Sequence, residues 1–300
     1  MKLFPLFMFL FLSLGFKSYT QKVPEEFDHS KVRRYISLKH IKEREIALTK
    51  MDSSNFQYRE GDTLVLISAA LKMYFPDGVK VQIEPQDSLF IEKYKAAVYG
   101  ARNKRDRAKQ SIKVWKEGIR IHFDESVPEE HQKELIKFGK ELASQIDSLN
   151  MREVSNRNEA NYFVFYRNDP DDFDLDPRIT DKESGYYLNW ERHYFTRASL
   201  KVNTYAYAYE QQALMNLKKR FFETLGYFKS ILSNSCKSFL AACGIVKELS
   251  AEDLEILKYH YSYQNCIGIG IKEFETQHEY RRKRFAEHPY IVMFVSHPKH

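Results

Sequence analysis

The sequence predicts an α/β (α+β) protein with an N-terminal, mainly helical arm. Three observations carry this. A strand–helix–strand order opens near residue 119: Ile119, Ile121 and Phe123 alternate with Arg120 and His122, then a helical period runs through Leu135, Phe138, Leu142, Ile146 and Leu149, and Asn161–Tyr166 follows, rich in β-favouring aromatics. Further on, Gln211–Tyr227 (QQALMNLKKRFFETLGY) places Leu214, Leu217, Phe221, Phe222 and Leu225 on one helical face and reaches Gly226, a residue suited to a left-handed helix end. An acidic helical segment, Ser250–Tyr261, comes last.

The first 20 residues read as a secretory leader. Lys2 gives a positive start, Leu3–Phe16 is almost unbroken apolar, and Ser18, Tyr19 and Thr20 are polar. The apolar run is shorter than the roughly 20 residues a spanning helix needs. The expected address is therefore secreted or periplasmic, with no transmembrane span in the mature chain.

Residues 21–110 form the arm. Lys31–Met51 suggests one or two helices. Thr63–Phe75 (TLVLISAALKMYF) favours helix in its second half, while its Leu-Val-Leu-Ile start also suits a strand. Pro76-Asp77-Gly78 marks a turn, Val79–Ile83 a short strand, and Ser88–Lys109 a helix ending in a charged run.

The main domain is expected at 111–277. Ser126-Val127-Pro128-Glu129 has the form of a capping box before the helix of Leu135. Asn168–Lys182 is acidic; Asp171, Asp172, Asp174 and Asp176 are the oxygen donors a weak Ca²⁺ site would use, although the spacing is not that of an EF-hand. A solvated acidic loop is the plainer expectation. Ala198–Tyr209 reads as the strand that leads into the Gln211 helix, with Tyr205, Tyr207 and Tyr209 on one face. Residues 278–300 form a basic tail, in which His297 and His300 sit at a frayed end.

Lys219-Arg220-Phe221-Phe222-Glu223-Thr224-Leu225-Gly226, followed by Leu249–Tyr259 and Ile267-Gly268-Ile269-Gly270, resembles a bacterial family of secreted, zincin-like (metzincin-fold) proteins of unknown function that lack HExxH. The resemblance covers about Val114–Gln277 and rests on the order of its motifs. It implies a mixed, twisted sheet packed on long helices, an edge strand leading to the long helix, and a later helix closing the core. Matched on Gly226, Lys219 stands at the first His position of HExxHxxG, Arg220 at the Glu, Glu223 at the second His and Lys229 at a third ligand. A catalytic zinc site needs three His, Cys or carboxylate ligands, and these residues do not supply them.

The other signals are mostly negative. No two His lie at i, i+4, and there is no G-x-S-x-G elbow, P-loop or dinucleotide fingerprint. His122, His193 and His260 are far apart in sequence. The one candidate catalytic residue is Glu223, whose plainer role is to pair with Lys219 or Arg220 one turn earlier. Removing Lys2 and Lys17 takes the formal charge from +6 to +4, and the basic clusters Lys218–Arg220 and Arg281–Arg284 lie among acids, so a nucleic-acid partner is not expected. Of Cys236, Cys243 and Cys266, the expected disulfide is Cys243–Cys266, with Cys236–Cys266 nearly as good. No metal or other cofactor is expected. Two readings stand: a catalytically inactive binder of a protein or cell-envelope partner, and a hydrolase that has relocated its catalytic groups.

Overall fold

The computed structural model describes residues 35–43, 45–59, 61–67, 79–100, 107, 109–232 and 235–297. The leader at 1–20, the second half of Thr63–Phe75, the turn at 76–78, most of the charged run before Lys109, and His300 lie outside the described residues. Two compact units divide between Pro76 and Asp77, not near residue 110.

The smaller unit is a mixture of strands and short helices, which corrects the mainly helical expectation. β1 (Tyr35–Ser37), β2 (Gln57–Arg59) and β3 (Asp62–Leu66) form an antiparallel sheet in the order β1-β3-β2. The helices are single turns, α1 (Leu38–Glu43) and α2 (Lys50–Ser54), the second started by a Thr49–Asp52 capping box. Ile41 and Val65 centre a small core with Ile36, Leu38, Leu48 and Phe56. The Leu-Val-Leu run at 64–66 was ambiguous because a short apolar run lacks a period that separates strand from helix.

The larger unit is built on a mixed sheet. Its strands are β5 (Val114–Trp115), β6 (Ile119–Phe123), β7 (Met151–Glu153), β8 (Tyr162–Arg167), β9 (Ser184–Glu191) and β10 (Tyr194–Asn203). The order runs β7-β6-β8-β10-β9, parallel throughout except for β9, which is antiparallel to β10. β5 pairs with Tyr194 and Phe195, while β8 pairs with Ala198–Asn203. Both therefore share the edge of β10 opposite β9.

Alternation decides which face each strand buries. Ile119, Ile121, Tyr162, Val164, Ala198, Leu200 and Val202 face α4 (Glu129–Ala143) and α5 (Glu210–Gly226) and form one core with Leu135, Phe138, Leu217 and Phe221. Outward-facing Lys201 and Asn203 are also buried, because the acidic loop lies over them. Lys201 Nζ bonds Asp174 Oδ2 (2.6 Å) and Ile179 O; Asn203 Nδ2 bonds Lys182 O (2.9 Å). The loop therefore covers Lys201 and Asn203 on the outer sheet face, while Asp169, Asp171 and Asp172 stay exposed to solvent.

A second helical group packs beside this. It comprises α3 (Ser88–Tyr99), α6 (Ala251–Tyr261) and α7 (Ile271–Glu287). Tyr94 meets Tyr259 edge-on at 4.8 Å and stacks with Phe274 at 5.4 Å. β11 (Met293–His297) pairs antiparallel with β4 (Val79–Ile83). Up to His297 the basic tail forms regular elements: His278 is inside α7 and His297 ends β11.

Other expectations are corrected in detail. α4 begins at Glu129 with Pro128 at its cap and no side-chain capping bond. Ser126 Oγ instead accepts from Tyr166 N (3.0 Å) and ties the loop to β8. The helix ends at Ala143, so Ile146 and Leu149 reach the core from turns. β10 stops at Asn203, and a 3-10 turn carries Tyr205 away from the strand. Among the described residues, no helix is long and apolar enough to cross a membrane.

Candidate functional site

The C-terminal end of α5 is held by buried side chains. The last carbonyls of a helix lack intrahelical partners and must find others. Here Trp115 Nε1 donates to Thr224 O (3.2 Å) and Tyr261 Oη to Leu225 O (2.7 Å). Thr224 Oγ1 donates to Phe221 O (2.6 Å) and so accepts from Tyr162 Oη (2.9 Å). The left-handed residue is Tyr227 (φ 56°, ψ 38°), not Gly226. Gly226 is required for space: a Cβ there would lie 2.3 Å from the Phe228 ring.

This end presents Glu223, which is 3 % exposed. Both its oxygens are engaged. Lys219 Nζ bonds Oε1 and Arg220 Nη1 bonds Oε2 at 2.8 Å. Arg220 Nε also donates to Ser184 Oγ on β9 (3.3 Å). The i−4 and i−3 pairing legible in the sequence is therefore present, with the carboxylate out of solvent. Of the four positions aligned with a zinc frame, three form one ion-paired group; the fourth, Lys229, lies just beyond the helix and feels the field of Glu223.

Between α5 and β9 lies a group of rings and cations. Tyr227 packs against Trp190 (5.8 Å between centroids) and edge-on to Tyr186 (6.3 Å). Lys229 Nζ stands 3.2 Å from the Tyr227 centroid, and Lys113 Nζ stands 5.1 Å from that of Trp190. Burial lowers Lys229 to about 8; Glu223 opposes that shift and Lys113 adds to it. Burial also lowers Lys113, whose ammonium bonds Ser111 Oγ (3.2 Å) and Ser111 O (3.4 Å).

The histidines do not join this group as ligands. His122 lies on the outer sheet face, its Nδ1 on Val154 O (3.3 Å). His260 is sealed in the core: Nε2 donates to Lys113 O (2.8 Å), so Nδ1 accepts from Tyr94 Oη (3.1 Å). Burial pushes it down to about 4, hence neutral. His193, in the β9–β10 turn, has its ring against Gly268, and its Nδ1 has no hydrogen-bond partner among the described residues. Glu223 bonds none of them. Among the described residues, no three His, Cys, Asp or Glu side chains are grouped to hold a metal ion.

Of the four Asp candidates in the acidic loop, Asp172, Asp174 and Asp176 have their carboxylates engaged within the protein. Asp172 accepts from Asn168 N (2.6 Å) and Asp169 N (2.9 Å), Asp174 pairs with Lys201, and Asp176 with Arg178 (2.7 Å). Asp171 donates its N–H to Asp169 Oδ1 (2.9 Å). The disulfide expectation is also corrected. Cys236 pairs with Cys243, and Cys266 is a free, half-buried thiol. The loop is folded tightly enough to bring 236 beside 243 because Asp253, fully buried, gathers Ser238, Phe239 and Leu240 beneath it.

A groove of about 400 Å³ lies elsewhere, between α3 and α7, lined by Ile91, Lys95, Phe274 and His278. His278 Nε2 is engaged by Tyr259 Oη (2.7 Å). The sequence reading missed Lys113, Tyr186, Trp190 and Asp253. Only Asp253 carried a local signal, as the third residue after Ser250 in a capping box. Comparison with protein-family models and with curated proteins gives no match.

Proposed function

We propose that the chain is an exported, zincin-like protein that binds a protein or cell-envelope partner and does not hydrolyse it. The observation that carries this reading is the state of Glu223. Both its oxygens are held by Lys219 and Arg220 in a buried group. A carboxylate so engaged is poorly placed to take a proton from a substrate, and two adjacent cations repel a divalent ion.

The frame supports the zincin-like part. An α/β opening, β10 running into α5, and α6 closing the core follow the order that the motifs imply, although β10 is paired on both sides and the edge strand is β9. The Cys236–Cys243 bridge and the leader reading support export. For a partner, β9 offers a strand that pairs only with β10 among the described residues and carries Tyr187 and Trp190 exposed. An open strand edge accepts an extended segment through main-chain bonds. The relocated-hydrolase alternative expects Glu223 beside His193 or His260, and neither bonds it.

Elemental mass spectrometry after dialysis against trace zinc, combined with an unfolded-protein hydrolysis assay, tests the reading. The expected result is substoichiometric zinc and no cleavage. One zinc per chain, with cleavage that Glu223→Gln abolishes, would overturn it.

A further inference from the structure

Lys201 and Lys219 are deeply buried, and each has a carboxylate. Lys113 is buried just as deeply, yet among the described residues its ammonium meets only the two oxygens of Ser111 and the face of Trp190. Lys229 rests on the Tyr227 ring and has no hydrogen-bond acceptor or paired acid among the described residues. The acid whose field reaches it, Glu223, is already shared between Lys219 and Arg220. Lys113 and Lys229, on Trp190 and Tyr227, thus stand beside a carboxylate that Lys219 and Arg220 already hold, while the field of Asp181 reaches Arg220. Charges withdrawn from water without a counter-charge are costly, and an anion brought to them relieves that cost.

The place is reachable. Trp190 is 43 % exposed and is the penultimate residue of β9. His193, two residues past the end of β9, adds a buried ring nitrogen, Nδ1, without a partner among the described residues. We propose that Lys113 and Lys229, each standing over one ring of the Trp190–Tyr227 pair, form a seat for a carboxylate of the ligand, with the exposed indole as its apolar platform. This names the chemistry of the partner and rests on the binding reading above. The source of the carboxylate is either a chain terminus or an acidic side chain.

The probe is hippurate, an aromatic amide ending in a carboxylate, titrated into the purified chain and followed by tryptophan fluorescence. Hippuramide, the uncharged analogue, is the control. The expected result is saturable hippurate binding with hippuramide at least about tenfold weaker, and a similar loss for hippurate in Lys113→Met and Lys229→Met. Equal binding of the two compounds, no binding of either, or unchanged hippurate binding in folded variants overturns the proposal. A second readout needs no variant: lysine-selective NMR should show hippurate raising the titration of Lys229 from about 8, and an unmoved titration overturns the proposal.

Short peptides then separate the sources, one with a free terminus and one amidated but carrying an internal Asp. Binding of the first assigns a terminal carboxylate, and binding of the second a side chain. Zinc with hydrolysis but intact hippurate binding removes the inactive-binder reading and leaves the seat. No zinc and no hippurate binding removes the seat alone.

Discussion

Asp253 is the residue on which the loop under α5 depends. It accepts from Ser238 Oγ (2.6 Å), Phe239 N (2.9 Å), Leu240 N (3.2 Å), Ser250 N (2.9 Å) and Ser250 Oγ (2.8 Å). Asp253→Ala leaves several of these donors buried without an acceptor. The expected cost is about 3–5 kcal/mol, read as a lower urea midpoint. His260 sets an acid limit by a different route. The unfolded chain takes up a proton near pH 6.5, whereas burial delays uptake in the folded chain to about 4. The unfolded state therefore binds more protons in that window, and stability falls as pH drops from about 6.5 to about 4. The loss is roughly 3 kcal/mol in total. His278, also lowered to about 4 but less enclosed, acts in the same direction. Melting measured from pH 7 to 4 should show this limb, and His260→Gln should flatten it.

At the scale of the element, α5 shows how a helix end becomes a site. Tyr227 in the left-handed region turns the chain, which brings Phe228 beneath Gly226 and Lys229 onto the Tyr227 ring. Gly226→Ala should then cost about 1–3 kcal/mol through overpacking against Phe228, even though Ala is the better helix former. A thermal melt checks the sign; a rise in melting temperature would mean that Phe228 moves aside freely. Elements with a strong period were legible in the sequence: β6, α4, β8, α5 and α6 all lie close to where alternation or a helical face put them. The second half of α7 reads as tail in the sequence because the helix buries only Ile271, Phe274 and Arg281 among the described residues and so carries little apolar period. β9 was missed because its buried and exposed residues do not alternate cleanly. Gly185 lies under the acidic loop, Asp181 and Ile179 being the side chains a Cβ there would meet, whereas Ser184 faces Arg220 of α5.

At the scale of the molecule, the boundary at Pro76/Asp77 has a direct consequence. α3 places Phe90, Tyr94, Ala97, Val98 and Tyr99 in the core of the larger unit, and β4 pairs with β11. A fragment of residues 77–300 should fold with a single cooperative melt and native near-ultraviolet dichroism. A fragment starting at 111 should lack both, because removing α3 leaves Tyr259 and Phe274 without the rings they pack on. If the shorter fragment folds equally well, α3 is dispensable and the boundary lies nearer residue 110.

The sequence by itself determined the α/β class, the strand–helix–strand opening, the long helix ending at Gly226, and the pairing of Glu223 with Lys219 and Arg220. All of these follow from residues near one another in the chain, where period and helical spacing act. Only the tertiary structure decided that Cys236 pairs with Cys243, that the acidic loop covers the sheet, and that Lys113, Trp190, Tyr227 and Lys229 share one place. Those depend on which distant segments the fold brings together and on which charges it takes out of water. Three cysteines allow three pairings, and a lysine at 113 carries no local mark of a ring at 190.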